Sequence, residues 1–171
     1  MEYIQISSTE DFRAAKIYRS YCDTFPADER RSGKQFKSLF NHQKVKIFSV
    51  LKELEDIGYL ITWELTDFTF IEHFEIFAEY RSLKYGSAII QDFCRKYAHV
   101  VLESEPATLD EIAERRIGFY ERNGFKIIDK NYSQPAYEPD KNKLDLWLLA
   151  SWQPENLPLI KEEIYDVVYA F

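Results

Sequence analysis

The chain has 171 residues, of which 46% are hydrophobic and 30% charged. That suits one domain over residues 1–171 with a sizeable buried core; it excludes disorder, and no apolar run approaches the ~18 residues of a membrane span. The net charge of −7 argues against a nucleic-acid partner, whose phosphates need clustered positive charge, and suits a cationic partner such as an amine.

In chain order, Tyr3–Ser7 alternates and reads as a strand. The opening residues Met1–Gln5 lack the basic patch and apolar stretch of a signal peptide, so a cytoplasmic protein with no membrane partner is expected. Ser8-Thr9 offers an N-cap for a helix from Glu10 to Thr24, which Pro26 breaks. Asp28-Glu29-Arg30-Arg31 opens a second helical stretch with Phe36, Leu39 and Phe40 on its apolar side; the charge cluster itself reads as a solvated face. Val45–Leu51, Gly58–Leu65 after a turn near Asp56, and Phe68–Phe77 are β-rich. The last of these alternates less cleanly but is dense in Phe and Ile, as a buried strand should be.

A polar loop, Glu79–Tyr85, leads into a helix whose Ile89, Ile90, Phe93, Cys94 and Tyr97 form one apolar face. His99–Leu102 is a strand. Thr108 can cap the next helix, lined by Leu109, Ile112, Ala113, Ile117 and Tyr120, with Arg115-Arg116 on its solvated side. Asn123-Gly124 stops it, because Gly accepts the left-handed C-terminal conformation. Phe125–Ile128 and Leu144–Ala150 are strands around a polar loop, Asn131–Asn142, and Pro158–Tyr169 reads as a final helix. Three consecutive strands with short connections favour antiparallel pairing, and the strand–helix–strand units after Phe68 favour parallel crossovers. A mixed sheet covered by helices is the expected result. Cys22 and Cys94 lie in helical patterns, and His42, His73 and His99 lack ligand spacing, so neither a disulfide framework nor a metal is expected.

The informative stretch runs from Phe74 to Ser87 as strand, tight loop and helix start. Backbone N–H groups at a helix start are unpaired and, with the helix dipole, receive anions. Arg81 and Lys84 add positive charge there, and Gly86 lets a bulky anion approach the backbone.

Here the chain resembles the GNAT superfamily of N-acetyltransferases, whose cofactor motif Arg/Gln-x-x-Gly-x-Gly/Ala reads Arg81-Ser82-Leu83-Lys84-Tyr85-Gly86, followed by Ser87. Lys84 stands where the family usually has its first Gly. A second match, Phe119-Tyr120-Glu121-Arg122-Asn123-Gly124-Phe125, looks like the family's Phe-Tyr-Glu-x-x-Gly-Phe segment. The resemblance covers about Ile57 to Ala150; the family's frequent Asn before the Tyr is absent, with Ala113 near that place.

It implies a mixed α/β fold, a mostly antiparallel sheet flanked by helices on both faces. It also implies an N-acetyltransferase that uses acetyl-CoA as co-substrate, without metal, the amine attacking directly within a ternary complex. The alternative is a weakly active or inactive acyl-CoA-binding module on the same fold. By resemblance, Tyr120 protonates the departing thiolate, and the backbone of Phe74, Glu75 and Ile76 holds the pantetheine arm and supplies the oxyanion donor. Arg81, Ser82, Leu83, Lys84, Tyr85, Gly86 and Ser87 hold the pyrophosphate.

Two carboxylates are candidates for the base. Glu103 sits at a strand's end; if the strand continues, Glu105 shares its face, and two like charges would raise one pKa. Glu72 lies in an apolar strand, where a carboxylate needs a partner or a groove; His73 should then point to the opposite face. The loop 131–142, with Tyr132 and Tyr137, borders the acceptor. The acceptor amine stays unidentified. The aromatic segment Ile164–Phe171 packs either on the sheet or on a second subunit, which leaves a homodimer open.

Overall fold

A computed structural model describes residues Met1–Phe171. Seven strands form one sheet in the order β1-β2-β3-β4-β5-β7-β6. They are β1 (Glu2–Ile6), β2 (Val45–Lys52), β3 (Glu55–Glu64), β4 (Thr69–Ile76), β5 (Val100–Ser104), β6 (Lys126–Gln134) and β7 (Leu144–Ala150). Every neighbouring pair is antiparallel except β4–β5, which is parallel as its intervening helix requires. The second crossover, from β5 to β6, skips a position that β7 fills. β2 and β3 are joined at Glu53-Leu54, both with positive φ (51° and 71°), the backbone that matches a two-residue hairpin to strand twist.

Two clusters of buried side chains lie on opposite faces of the sheet. On one face, Ile17 and Tyr21 of α1 (Phe12–Thr24), Phe36 and Leu39 of α2 (Gly33–Leu39), and Ile160 of α5 (Leu157–Glu163) pack over Ile47, Ile61, Trp63 and Phe70. On the other, Ile89, Ile90 and Phe93 of α3 (Tyr85–Lys96) and Ile117 and Tyr120 of α4 (Glu111–Arg122) pack over Phe48, Leu60, Ile71 and Leu102. The expected mixed sheet with helices on both faces is what forms.

Several boundaries move, each for a local reason. Asp11, not Ser8-Thr9, caps α1, its carboxylate accepting from the Arg13 N–H (2.9 Å). Residues 27–29 make only a 3₁₀ turn; α2 starts later, where Ser32 and Gln35 form a reciprocal capping box. Asp110, not Thr108, caps α4 by accepting from the N–H groups of Ile112 and Ala113 (2.8 Å each). Leu109 and Ile112, expected to line that helix, are 59% and 66% exposed because the helix begins later and turns them outward. β6 runs on to Gln134, so the first third of the expected polar loop is strand, paired Tyr132 to Leu146 and Gln134 to Leu144. After α5 the chain widens into a π-helical turn, Ile164–Tyr169, and this C-terminal segment packs on the sheet of its own chain.

Candidate active site

The site follows from a shortfall in pairing. β4 and β5 are bonded only through Thr69–Ile71 and Val100–Leu102. Beyond that they part, and the β5-facing edge of β4 from Glu72 to Ile76 has no strand beside it. A cavity of about 570 Å³ fills the gap, lined by Ile71–Ile76 of β4, Leu102–Glu105 at the end of β5, and the loop between β4 and α3.

That loop forms one end of the cleft. After a 3₁₀ turn at Ala78–Tyr80, Ser82 and Lys84 both take the left-handed conformation (φ 65° and 62°), and Lys84 is the N-cap of α3. Lys84 thus adopts the backbone that the glycine of the resembled motif adopts without strain. Its side chain makes no capping bond, and the Tyr85, Gly86 and Ser87 N–H groups form the open first turn.

Not every loop residue has the expected role. Arg81 is largely committed to the protein: it donates to the Ile76 carbonyl (2.9 Å) and to Glu75 Oε1 (3.0 Å), bracing the loop against β4. Glu75 also accepts from Ser20 (2.9 Å) and Thr24 (2.6 Å) of α1, so its side chain faces away from the open strand edge. Leu83 is exposed and does not line the cavity. At Gly86 a Cβ would lie 3.3 Å from the Phe119 ring, so the close approach that demands glycine there is to α4 rather than to a ligand alone. Asn123 ties the same helices together, donating to Ser87 Oγ (3.1 Å) and the Phe119 carbonyl (2.8 Å).

Tyr120 and Glu103 line the middle of the cleft. The Tyr120 ring packs edge-on against Phe119 and Phe125, and burial pushes its hydroxyl up to about 12, with Arg116 pulling it back. Burial pushes the Glu103 carboxyl up to about 7, while the hydroxyls of Tyr169 and Tyr132 act the other way. Tyr169 donates to Oε1 of Glu103; Oε2 is buried with no partner. Glu105 does not share this setting. β5 ends at Ser104, and Glu105 turns aside to pair with Arg116 of α4 (2.6 Å). Burial, not that neighbour, is therefore what raises Glu103.

Glu72 is in a different state. Its carboxylate accepts from Arg31 Nε (2.8 Å), Trp63 Nε1 (2.7 Å) and the Tyr137 hydroxyl (2.8 Å). Burial alone would raise its pKa, but Arg31 and these donors together hold it below the ordinary carboxylate value. A carboxylate so held is a poor proton acceptor. The expectation that His73 faces the opposite way fails for a specific reason: the β3–β4 register shifts between Ile61/His73 and Thr62/Ile71, which leaves Glu72 as the extra residue of a β-bulge. Strict alternation is lost there, and His73 turns to the same face, 3.3 Å from the Tyr21 hydroxyl with its ring against Phe25. Burial pushes His73 down to about 4.

No protein-family model and no curated sequence matches the chain, but solved structures do. A protein from Bacteroides thetaiotaomicron, assigned to the GNAT family of acetyltransferases, is 24% identical and superimposes with a TM-score of 0.92 over 100% of this chain and 99% of its own. The chain has the GNAT fold. The ribosomal-protein-S18-alanine N-acetyltransferase from Escherichia coli is 22% identical with a TM-score of 0.59, over 91% of this chain and 97% of its own. A GNAT acetyltransferase from Elizabethkingia anophelis with acetyl-CoA bound is 15% identical with a TM-score of 0.59, over 87% and 95%.

Within this GNAT fold, two parts of the site lay outside the expected set. Arg31, read as a solvated charge, is 1% exposed and is the partner of Glu72. The signal was Glu72 itself, since a buried carboxylate demands a cation. Tyr169 reaches Glu103 from the C-terminus, which no local pattern could connect to β5.

Proposed function

We propose that this chain is an acetyl-CoA-dependent N-acetyltransferase in which the amine attacks the thioester directly within a ternary complex. The observation that carries the reading is the cleft between β4 and β5. It joins an open helix N-terminus, an unpaired strand edge, a tyrosine hydroxyl and a carboxylate of raised pKa in one cavity. These features fit an anionic, amide-bearing thioester. The first-turn N–H groups of α3 and the Lys84 ammonium would hold the pyrophosphate. The β4 edge from Phe74 to Ile76 would hydrogen-bond the pantetheine arm as a strand does and supply the oxyanion donor. Acetyl-CoA brings the activated acyl group. Tyr120 would protonate the departing thiolate and Glu103 would take the amine proton, directly or through a water.

Thermal denaturation with acetyl-CoA is the first test. At ~100 times its dissociation constant a ligand stabilises a fold by about 2.7 kcal/mol. Thiol release is then followed over a panel of amines and peptides. No stabilisation would sink the reading. Stabilisation with no amine-dependent thiol release would favour the binding module instead.

Lys84 supports a second expectation. Lys84→Gly relieves a left-handed side-chain residue but gives back glycine's entropy, so stability should hold or rise by up to ~1 kcal/mol. Acetyl-CoA affinity should fall and lose part of its salt dependence, because an exposed charge beside phosphate is gone. Isothermal titration at two ionic strengths checks both; unchanged affinity would make Lys84 only a turn residue.

A further inference from the structure

We infer that the C-terminal segment is a working part of the site: its π-helical turn sets the Tyr169 hydroxyl on Glu103 and so decides which carboxylate oxygen is free and when that carboxyl ionises. This rests on the reading of Glu103 as the base. Tyr169 does not line the cavity, so it acts as a positioning residue behind Glu103 rather than on the substrate.

The geometry is specific. In an α-helix, residues four apart lie on one face, so Tyr165 and Tyr169 would point the same way. Here the Ala170 N–H bonds to the Tyr165 carbonyl (3.0 Å), five residues back, and the turn is wide. Tyr165 then stacks on Tyr132 and donates to the Ser133 carbonyl (3.0 Å), while Tyr169 reaches β5 and donates to Glu103. The turn is fastened at both ends. Ile164 and Val168 are fully buried, the Val168 carbonyl accepts from Arg31 (2.7 Å), and Phe171 packs against Trp63 and His42. A wide turn held this tightly sets one hydroxyl, that of Tyr169, on the carboxylate, with Oε1 engaged and Oε2 buried without a hydrogen-bond partner.

The groups around Glu103 come from five elements. Tyr165 and Tyr169 belong to the C-terminal turn, Tyr132 to β6, Tyr137 to the loop after it, Glu72 to β4 and Glu29 to the turn after α1. Glu72 and Glu29 raise Glu103, and Tyr169 is the first of the groups that oppose burial. Glu72 is held ionised by Arg31 and Glu29 keeps its place in either variant below, so removing one hydroxyl isolates its effect.

The experiment is a titration of Glu103 by carboxyl-carbon NMR in the full chain, using Glu103→Gln to assign the resonance, for wild type, Tyr169→Phe and Tyr165→Phe. Tyr169→Phe keeps the ring and should raise the midpoint by about one pH unit, since a donor to the charged form has been lost. Tyr165→Phe removes a hydroxyl from the same turn and should leave the midpoint in place. With an accepted amine, the acidic limb of the pH–rate profile should move by the same amount in Tyr169→Phe. An unmoved midpoint in a folded Tyr169→Phe protein overturns the inference, as does an equal shift in Tyr165→Phe. Because the titration needs no turnover, absence of transferase activity in wild type would remove the enzymatic reading while the midpoint shift still upheld the Tyr169–Glu103 coupling.

Discussion

Tyr120→Phe should cut turnover by about 10²–10⁴, the usual worth of a positioned general acid, and leave folding and acetyl-CoA affinity near wild type. The ring's contacts with Phe119 and Phe125 survive the change. A hydroxyl pushed up to about 12 stays protonated at neutral and mildly alkaline pH, so it can donate there. The alkaline side of the rate profile should therefore lack a tyrosine limb, and the acidic side should belong to Glu103. With a carboxyl pushed up to about 7, the base form accumulates as pH rises through neutrality and the rate rises with it. Glu103→Gln should flatten that limb and lower the rate most near neutral pH. Alkaline pH should restore part of it, because an alkylamine with a pKa of ~10.4 then sheds its own proton. Steady-state turnover against pH for the three proteins decides it. Wild-type rates in Tyr120→Phe would leave catalysis to positioning and backbone donors.

Much of this arrangement is legible in the sequence, and the exceptions have physical reasons. The β4–loop–α3 stretch and the Tyr120 helix are local, so motif spacing located them; the left-handed φ of Lys84 and the inward commitment of Arg81 to Ile76 and Glu75 depend on the folded loop. Strand and helix identities followed from periodicity, but their ends depended on which polar side chain actually caps, Asp11 and Asp110 rather than Ser8 or Thr108. The faces of β4 could not be read, because the bulge at Glu72 shifts the alternation and nothing in the local sequence marks it. The polar support of the site was least legible. Glu72 and Glu103 stood out as carboxylates, but their partners Arg31, Tyr137 and Tyr169 lie 41, 65 and 66 residues away, so no local window shows which residue each one meets.

That hidden support predicts the largest effect on stability. Arg31→Met should cost about 3–5 kcal/mol, since it strips the cation from a carboxylate that is fully buried. Trp63 and Tyr137 still donate to Glu72, but neither carries charge. The loss should also reverse the pH dependence. In wild type Glu72 is held below its ordinary value, so its contribution is present above the unfolded pKa and is lost as pH falls through the lower folded one. Without Arg31, burial prevails and the folded pKa rises; stability is then highest in acid and is lost as pH climbs through that raised value. Denaturant unfolding at pH 5 and pH 8 should find the variant's deficit larger at pH 8. Arg31→Met combined with Glu72→Gln should recover most of the loss at pH 8, because a neutral amide can keep the Trp63 and Tyr137 bonds without a counter-charge. A single variant that lost less than ~1 kcal/mol at pH 8 would mean that water enters and solvates Glu72, and the ion pair would then be a weak element of the fold. If the pair does hold as argued, its reach extends to the chemistry: the same guanidinium anchors the Val168 carbonyl, so the double variant should regain stability while Tyr169 loses its fixed seat on Glu103.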